Sequence, residues 1–125
     1  MDILVVDDAI VARKMIKRHL GGSPYEAANL IEAASAEKGL ELFNENVKLV
    51  MSDWNMPGMN GLEFVQKVRE MEKGWGRTQG IPIIMITTEG TVQKVNLAKE
   101  AGVNEYIVKP FSAEQLISAL DQVLV

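Results

Sequence analysis

Ile3-Leu4-Val5-Val6-Asp7-Asp8 is the stretch on which the fold turns. Four apolar residues in a row, with no polar alternation, suit a parallel strand covered on both faces. Two acids follow at once. The same grammar recurs downstream. Leu30-Ile31 begins a weaker run within Ala28 to Ala33, Leu49-Val50-Met51 is a third, Ile81 to Ile86 a fourth and Tyr106-Ile107-Val108 a fifth.

Helical spacings fill the intervals. Val11, Met15 and Leu20 are assigned to one face, with Arg13, Lys14, Lys17 and Arg18 outside it, and Gly21-Gly22 stops the helix. Ala36, Leu40 and Phe43 mark a second stripe; Leu62, Val65, Val68 and Met71 a third; Val92, Val95 and Ala98 a fourth. Ser112 with Gln115 forms a capping box for a fifth helix carrying Leu116, Leu120 and Val123 or Leu124. Five strand-then-helix units imply right-handed crossovers and a three-layer α/β/α sandwich. A chain of 125 residues with 47% hydrophobic content builds one such core, so residues 1–125 are read as one domain.

Composition excludes several classes. A net charge of −4 argues against a nucleic-acid surface. The absence of cysteine excludes disulfides and thiolate metal sites. No apolar run approaches a membrane span, and Met1-Asp2 lacks the basic start of a signal peptide, so a cytoplasmic protein is expected.

Open parallel sheets bind ligands beyond the carboxyl ends of their strands. There this chain places Asp7-Asp8, Asp53, Thr87-Thr88 and Lys109-Pro110. Singly, each has an ordinary explanation: a turn acid, a helix cap, a solvated lysine. Converging, they suit phosphoryl chemistry. Clustered carboxylates repel unless a cation sits among them. Mg²⁺ suits such a site because it takes one or two carboxylates and also phosphate oxygens. One Asp remains as nucleophile, a lysine and a threonine hydroxyl hold phosphoryl oxygens, and backbone N–H groups after Asp53 complete the cradle.

Leu4-Val5-Val6-Asp7-Asp8, Asp53-Trp54-Asn55-Met56-Pro57-Gly58-Met59-Asn60-Gly61, Ile86-Thr87-Thr88-Glu89 and Val108-Lys109-Pro110-Phe111 together resemble the signature of response-regulator receiver domains, most nearly the single-domain chemotaxis kind. Four motifs in order span essentially the whole chain. The resemblance implies a flavodoxin-like, five-stranded parallel sheet of order 2-1-3-4-5 with five helices. It implies that Asp53 accepts a phosphoryl group from the phosphohistidine of a chemotaxis-type histidine kinase. Mg²⁺ would be held by Asp7, Asp8, Asp53 and the backbone carbonyl of Asn55, and the phosphoryl oxygens by Lys109, Thr87 and the backbone of Trp54, Asn55 and Thr88. Thr87 and Tyr106 would form the switch, with Tyr106 turning inward once Thr87 moves. A face built from the fourth helix, fifth strand and fifth helix, with Val95, Lys99 and Tyr106, would be read by a flagellar motor switch protein or another output target, and a phosphatase would be a further partner. The domain would be a monomer that assists its own phosphorylation and dephosphorylation rather than an enzyme. Lys109-Pro110 resembles the family's cis peptide.

Some segments depart from the pattern. Residues 72–80 exceed the usual length before the fourth strand and are expected to form a mobile surface loop with Trp75 solvated and remote. Thr88 stands where many receivers carry alanine, narrowing access to the phosphate. Met15, Met51 and Met85 read as core filler, Met56 and Met59 as packing beside the acceptor loop, and His19 as a helix-end residue. The basic set on the first helix reads as a solvated face, with docking of an acidic partner as the alternative.

Competing classes are distinguishable. The chain ends soon after the fifth helix, which favours a stand-alone regulator over a receiver excised from a multidomain regulator or hybrid kinase. A Mg²⁺-dependent phosphatase of the haloacid-dehalogenase type would need D-x-D-x-[TV] after the first strand, which Asp7-Asp8-Ala9-Ile10 does not supply. An FMN-binding flavodoxin would need a hydroxyl- and glycine-rich loop there instead of two acids.

Overall fold

A computed structural model describes residues 1–124. Ten elements alternate along the chain: β1 (Asp2–Val6), α1 (Ile10–Leu20), β2 (Asn29–Ala33), α2 (Ala36–Leu42), β3 (Val47–Ser52), α3 (Gly61–Gly74), β4 (Ile83–Thr87), α4 (Val92–Ala101), β5 (Glu105–Val108) and α5 (Ala113–Val123). All strand pairs are parallel, and the order is β2-β1-β3-β4-β5. This is the flavodoxin-like sandwich the resemblance implied.

Alternation along each strand divides the core into two layers. Leu4, Val6, Val50, Ile83 and Met85 face the α2, α3 and α4 side, where they meet Phe64, Val65 and Val68. Ile3, Val5, Leu49, Met51, Ile84 and Ile86 face α1 and α5, where they meet Ile16, Leu20, Leu116 and Leu120. Both layers are buried, which is why the strands read as unbroken apolar runs. Ser112 and Gln115 cap α5 reciprocally, at 3.1 and 2.8 Å, as their spacing predicted. Lys109-Pro110 is cis.

Four expectations need correction. Val11 and Met15 do not face inward; both are exposed, and α1 buries Ile16 and Leu20. Met15 to Leu20 is five residues, about 140° off one face at 100° per residue, whereas Ile16 to Leu20 is four. Arg13 shares that inward stripe, because its guanidinium finds the Asp7 carbonyl and Glu32. Val92 is likewise exposed at the start of α4. The 72–80 segment is not simply a loop: α3 runs to Gly74, Glu72 is buried, and Trp75 stacks on Phe43 with ring centroids 5.2 Å apart.

Glu72 belongs to an ionic clamp at the amino ends of the strands. Its carboxylate accepts from Arg69 Nη1 at 2.7 Å and from the Ile81 N–H. Arg69 also donates to the carbonyls of Ile81 and Gly102 and to Asn104 Oδ1. The clamp ties α3 to the starts of β4 and β5.

Candidate functional site

Strand register brings the acids together. Val6 pairs with Ser52, so the residues that follow, Asp7 and Asp53, leave adjacent strands side by side. The Asp53 N–H donates to the Val6 carbonyl at 2.9 Å and the Asp7 N–H to that of Ala33 at 3.1 Å. Asp7, Asp8 and Asp53 each offer a carboxylate oxygen, all within 4.8 Å of one another. Lys109 arrives from β5, with its Nζ 2.9 Å from Asp7 Oδ2 and 3.1 Å from Asp53 Oδ2.

Glycine positions the acceptor loop. A Cβ on Gly61 would lie 2.0 Å from the Asp53 carbonyl oxygen and 2.8 Å from Trp54 Cα. Only glycine lets the first turn of α3 pack this close, where the Gly61 N–H donates to the Trp54 carbonyl at 2.7 Å. Asn60 and Glu63 then cap the helix reciprocally. The Trp54 N–H donates to Asp53 Oδ1 at 2.6 Å, so the carboxylate is held from its own loop and from Lys109.

Charge at the site is unbalanced. Three carboxylates face one ammonium, which leaves two negative charges uncompensated within the cluster. Burial would push the Lys109 ammonium down, but hydrogen bonding to Asp7 and the charges of Asp53 and Asp7 hold its pKa above the ordinary lysine value. Asp7 is buried, Asp53 half-buried and Asp8 exposed. Asp8 does not cap α1; the cap position is Ala9, with no side-chain bond, and the Ala9 N–H is satisfied by Asp7 Oδ1 at 2.9 Å. An exposed acid beside two others, with no capping duty, fits a hard cation with oxygen ligands, as Mg²⁺ is.

The remaining candidates sit around this cluster in different states of engagement. Thr87 ends β4 fully buried, and its hydroxyl accepts from the Glu89 N–H at 3.3 Å rather than bonding any acid. Thr88 is exposed and joins Ala9, Val11, Met15, Pro110 and Phe111 around an apolar groove of about 420 Å³ beside Lys109. Asn55 is exposed, its side chain donating to Glu89 Oε1 at 2.8 Å. The Tyr106 hydroxyl donates to the Glu89 carbonyl, and burial followed by the charges of Glu89 and Asp53 raises its pKa. Val95 is half-buried and Lys99 exposed on α4.

Three neighbours escaped the sequence reading. Arg13 donates to the Asp7 carbonyl and pairs with Glu32 at 2.9 Å. Its signal was the Ala9, Arg13, Ile16, Leu20 spacing. Glu89 ties Asn55 to Tyr106, one residue beyond the threonines. Lys94 stands 4.7 Å over the Trp54 ring, a contact no local pattern encodes.

Comparison with known proteins agrees with this geometry. The family described as "Response regulator receiver domain" matches residues 3–121. A chemotaxis protein CheY homolog of Campylobacter jejuni is 44% identical, with 99% of this chain and 92% of the relative covered. Chemotaxis protein CheY1 of Helicobacter pylori is 45% identical, covering 99% and 97%. Among solved structures, chemotaxis response regulator CheY4 of Vibrio cholerae superposes with a TM-score of 0.81 at 33% identity, covering 98% and 97%. With four motifs meeting at one sheet edge and a family match over nearly its full length, the chain belongs to the response regulator receiver domains.

Proposed function

We propose that the chain is a chemotaxis phosphoacceptor switch in which Asp53 takes a phosphoryl group from a histidine kinase. The observation that carries this reading is Lys109 bridging Asp7 and Asp53 beside a third acid, Asp8. Asp53 attacks phosphorus through a carboxylate oxygen; the new O–P bond forms as the P–N bond of the phosphohistidine breaks, and the imidazole leaves. Lys109 offers its ammonium to a phosphoryl oxygen. The Trp54 N–H, already on Asp53, passes to the phosphoryl group, with the backbone of Asn55 and Thr88 on other sides. Asp7, Asp8, Asp53 and the Asn55 carbonyl are the residues that would hold Mg²⁺, which neutralises charge on the transferring group.

The switch reading follows from the hydroxyls. A phosphoryl group on Asp53 supplies acceptors that the Thr87 hydroxyl lacks here, drawing it away from the Glu89 N–H. Glu89 is also the acceptor of the Tyr106 hydroxyl, so its movement frees the ring to turn inward. Tyr106, Val95 and Lys99 then present an altered face to an output partner of the flagellar motor type. The protein's own residues also assist dephosphorylation, with no second substrate turned over.

Incubation with Mg²⁺ and acetyl phosphate, followed by peptide mass spectrometry, tests the reading. One added phosphate on the peptide containing Asp53 is expected. Phosphate elsewhere would remove Asp53 as the acceptor, and turnover of a generic phosphomonoester would replace this reading with a phosphatase.

A further inference from the structure

Asp8 is the exposed member of the acid cluster, and its side chain caps nothing. The direction of its carboxylate starts from the two planar peptides that flank it. The peptide after it is held at the Ala9 N–H, which donates to Asp7 Oδ1 at 2.9 Å. The peptide before it is held at the Asp7 carbonyl, which accepts from Arg13 Nη1 at 2.5 Å. Arg13 meets the same turn from its backbone, where its N–H donates to the Ala9 carbonyl at 3.2 Å.

The guanidinium is itself fixed. Its Nε donates to Glu32 Oε1 at 2.9 Å, and the Arg13 side chain is only 11% exposed. Glu32 lies on β2, in register with Val5 of β1, so the guanidinium ties the turn back to the sheet. The planar fork matters here. Two of its nitrogens reach two acceptors at once, which a lysine ammonium on a flexible stem does not reproduce. Glu32 also offsets the charge of Arg13, which leaves hydrogen bonding as the larger part of what Arg13 supplies to the turn.

We propose that Arg13 is a positioning residue for the cation site: by holding the Asp7-Asp8 peptide it keeps the Asp8 carboxylate aimed at the ion that Asp7 and Asp53 would share. The inference rests on the Mg²⁺ assignment in the proposed function and deepens it. Its effect has a distinctive sign. A cation touching Asp7 opposes the arrival of another, so an electrostatic role predicts tighter Mg²⁺ binding once Arg13 is neutralised. Loss of aim predicts weaker binding, by about tenfold, the lower end of what residues supporting metal ligands contribute. A purely structural role predicts lower stability with the affinity of the folded protein unchanged.

The test titrates the full chain with Mg²⁺ and follows the amide chemical shifts of residues 53–55, with urea unfolding to establish that each variant is folded. R13Q should bind Mg²⁺ about tenfold more weakly than wild type. R13K should lose nearly as much, and it carries the test if R13Q does not fold. E32Q keeps the bond to the Asp7 carbonyl and should stay within about twofold of wild type, the scale of an exposed ion pair. In the Asp8→Ala background the R13Q effect should shrink to within about twofold, because the carboxylate that Arg13 aims is gone. R13Q binding Mg²⁺ as tightly as wild type, or more tightly, would overturn the inference. So would R13K matching wild type, E32Q losing as much as R13Q, or an R13Q effect undiminished in Asp8→Ala. These outcomes leave the cation site standing without Arg13, whereas a wild type whose shifts ignore Mg²⁺ would remove the ion from the proposed function and this role with it.

Discussion

Two ionic clusters stand at opposite ends of the sheet, and their difference separates structure from function. At the amino ends, Arg69 and Glu72 form a neutral pair whose side chains are 19% and 5% exposed, with further bonds to Ile81, Gly102 and Asn104. At the carboxyl ends, Asp7, Asp8 and Asp53 share a single Lys109. The first cluster has a partner for each buried group and needs nothing more. The second holds more negative charge than the protein offsets. Buried charge is tolerated when paired and hydrogen-bonded, so the unbalanced cluster is the one to which the proposed function assigns a cation and a phosphoryl group.

The largest contrast comes from Asp53→Asn. Phosphate incorporation from acetyl phosphate should fall to background, while urea unfolding shows an intact cooperative fold. Undiminished incorporation would remove Asp53 as acceptor. The converse change is Glu72→Ala, which strands the Arg69 guanidinium and the Ile81 N–H. It should destabilise the fold by about 3 kcal/mol in urea unfolding, as expected for breaking a buried pair with a partly exposed partner. Phosphorylation of the folded fraction should survive. A loss of only a few tenths would make the clamp a surface pair after all.

Mg²⁺ should act on one cluster alone. At a hundred times its dissociation constant it should add about 2.7 kcal/mol to the stability of the wild type by mass action, and as much to Glu72→Ala. Asp8→Ala should lose most of that increment, while gaining on the order of 1 kcal/mol without metal, since its exposed charge is partly screened. An unchanged Mg²⁺ response in Asp8→Ala would show that Asp8 is not a ligand.

Alkaline pH gives a smaller effect. With its pKa raised by Asp7 and Asp53 against the pull of burial, Lys109 binds its proton more tightly folded than unfolded. That stability is complete below the unfolded lysine value of about 10.4 and is lost as pH rises through the folded value. Asp53→Asn should flatten the alkaline fall in urea midpoints, and Glu72→Ala should leave it unaltered. Equal slopes in wild type and Asp53→Asn would argue against the Lys109 bridge.

The smallest signal is optical. Trp54 is buried beneath Lys94 at the acceptor loop, while Trp75 stacks on Phe43. Fluorescence should change on adding Mg²⁺ and again with acetyl phosphate. The second change should vanish in Asp53→Asn and persist in Trp75→Phe. A response carried by Trp75 would relocate the sensor to the α3 end of the molecule.

Periodicity and strand-end chemistry were enough to read five strand-helix units and the acids, threonine and lysine that meet at one edge. Both signals are local: a run of apolar residues reports two covered faces, and a residue just past a strand must lie at that strand's end. Strand order, the cis peptide and the roles of individual side chains came with the family resemblance. What tertiary structure alone decided was anything that depends on partners distant in sequence. Arg13 turns inward because it finds the Asp7 carbonyl and Glu32. Trp75 is covered because Phe43 lies opposite it, and Glu72 is buried because Arg69 and the Ile81 N–H complete it. A charged or aromatic residue carries no mark of its own that tells which of these environments it will meet, because burial of such a group is decided by the bonds available at the far end of its side chain.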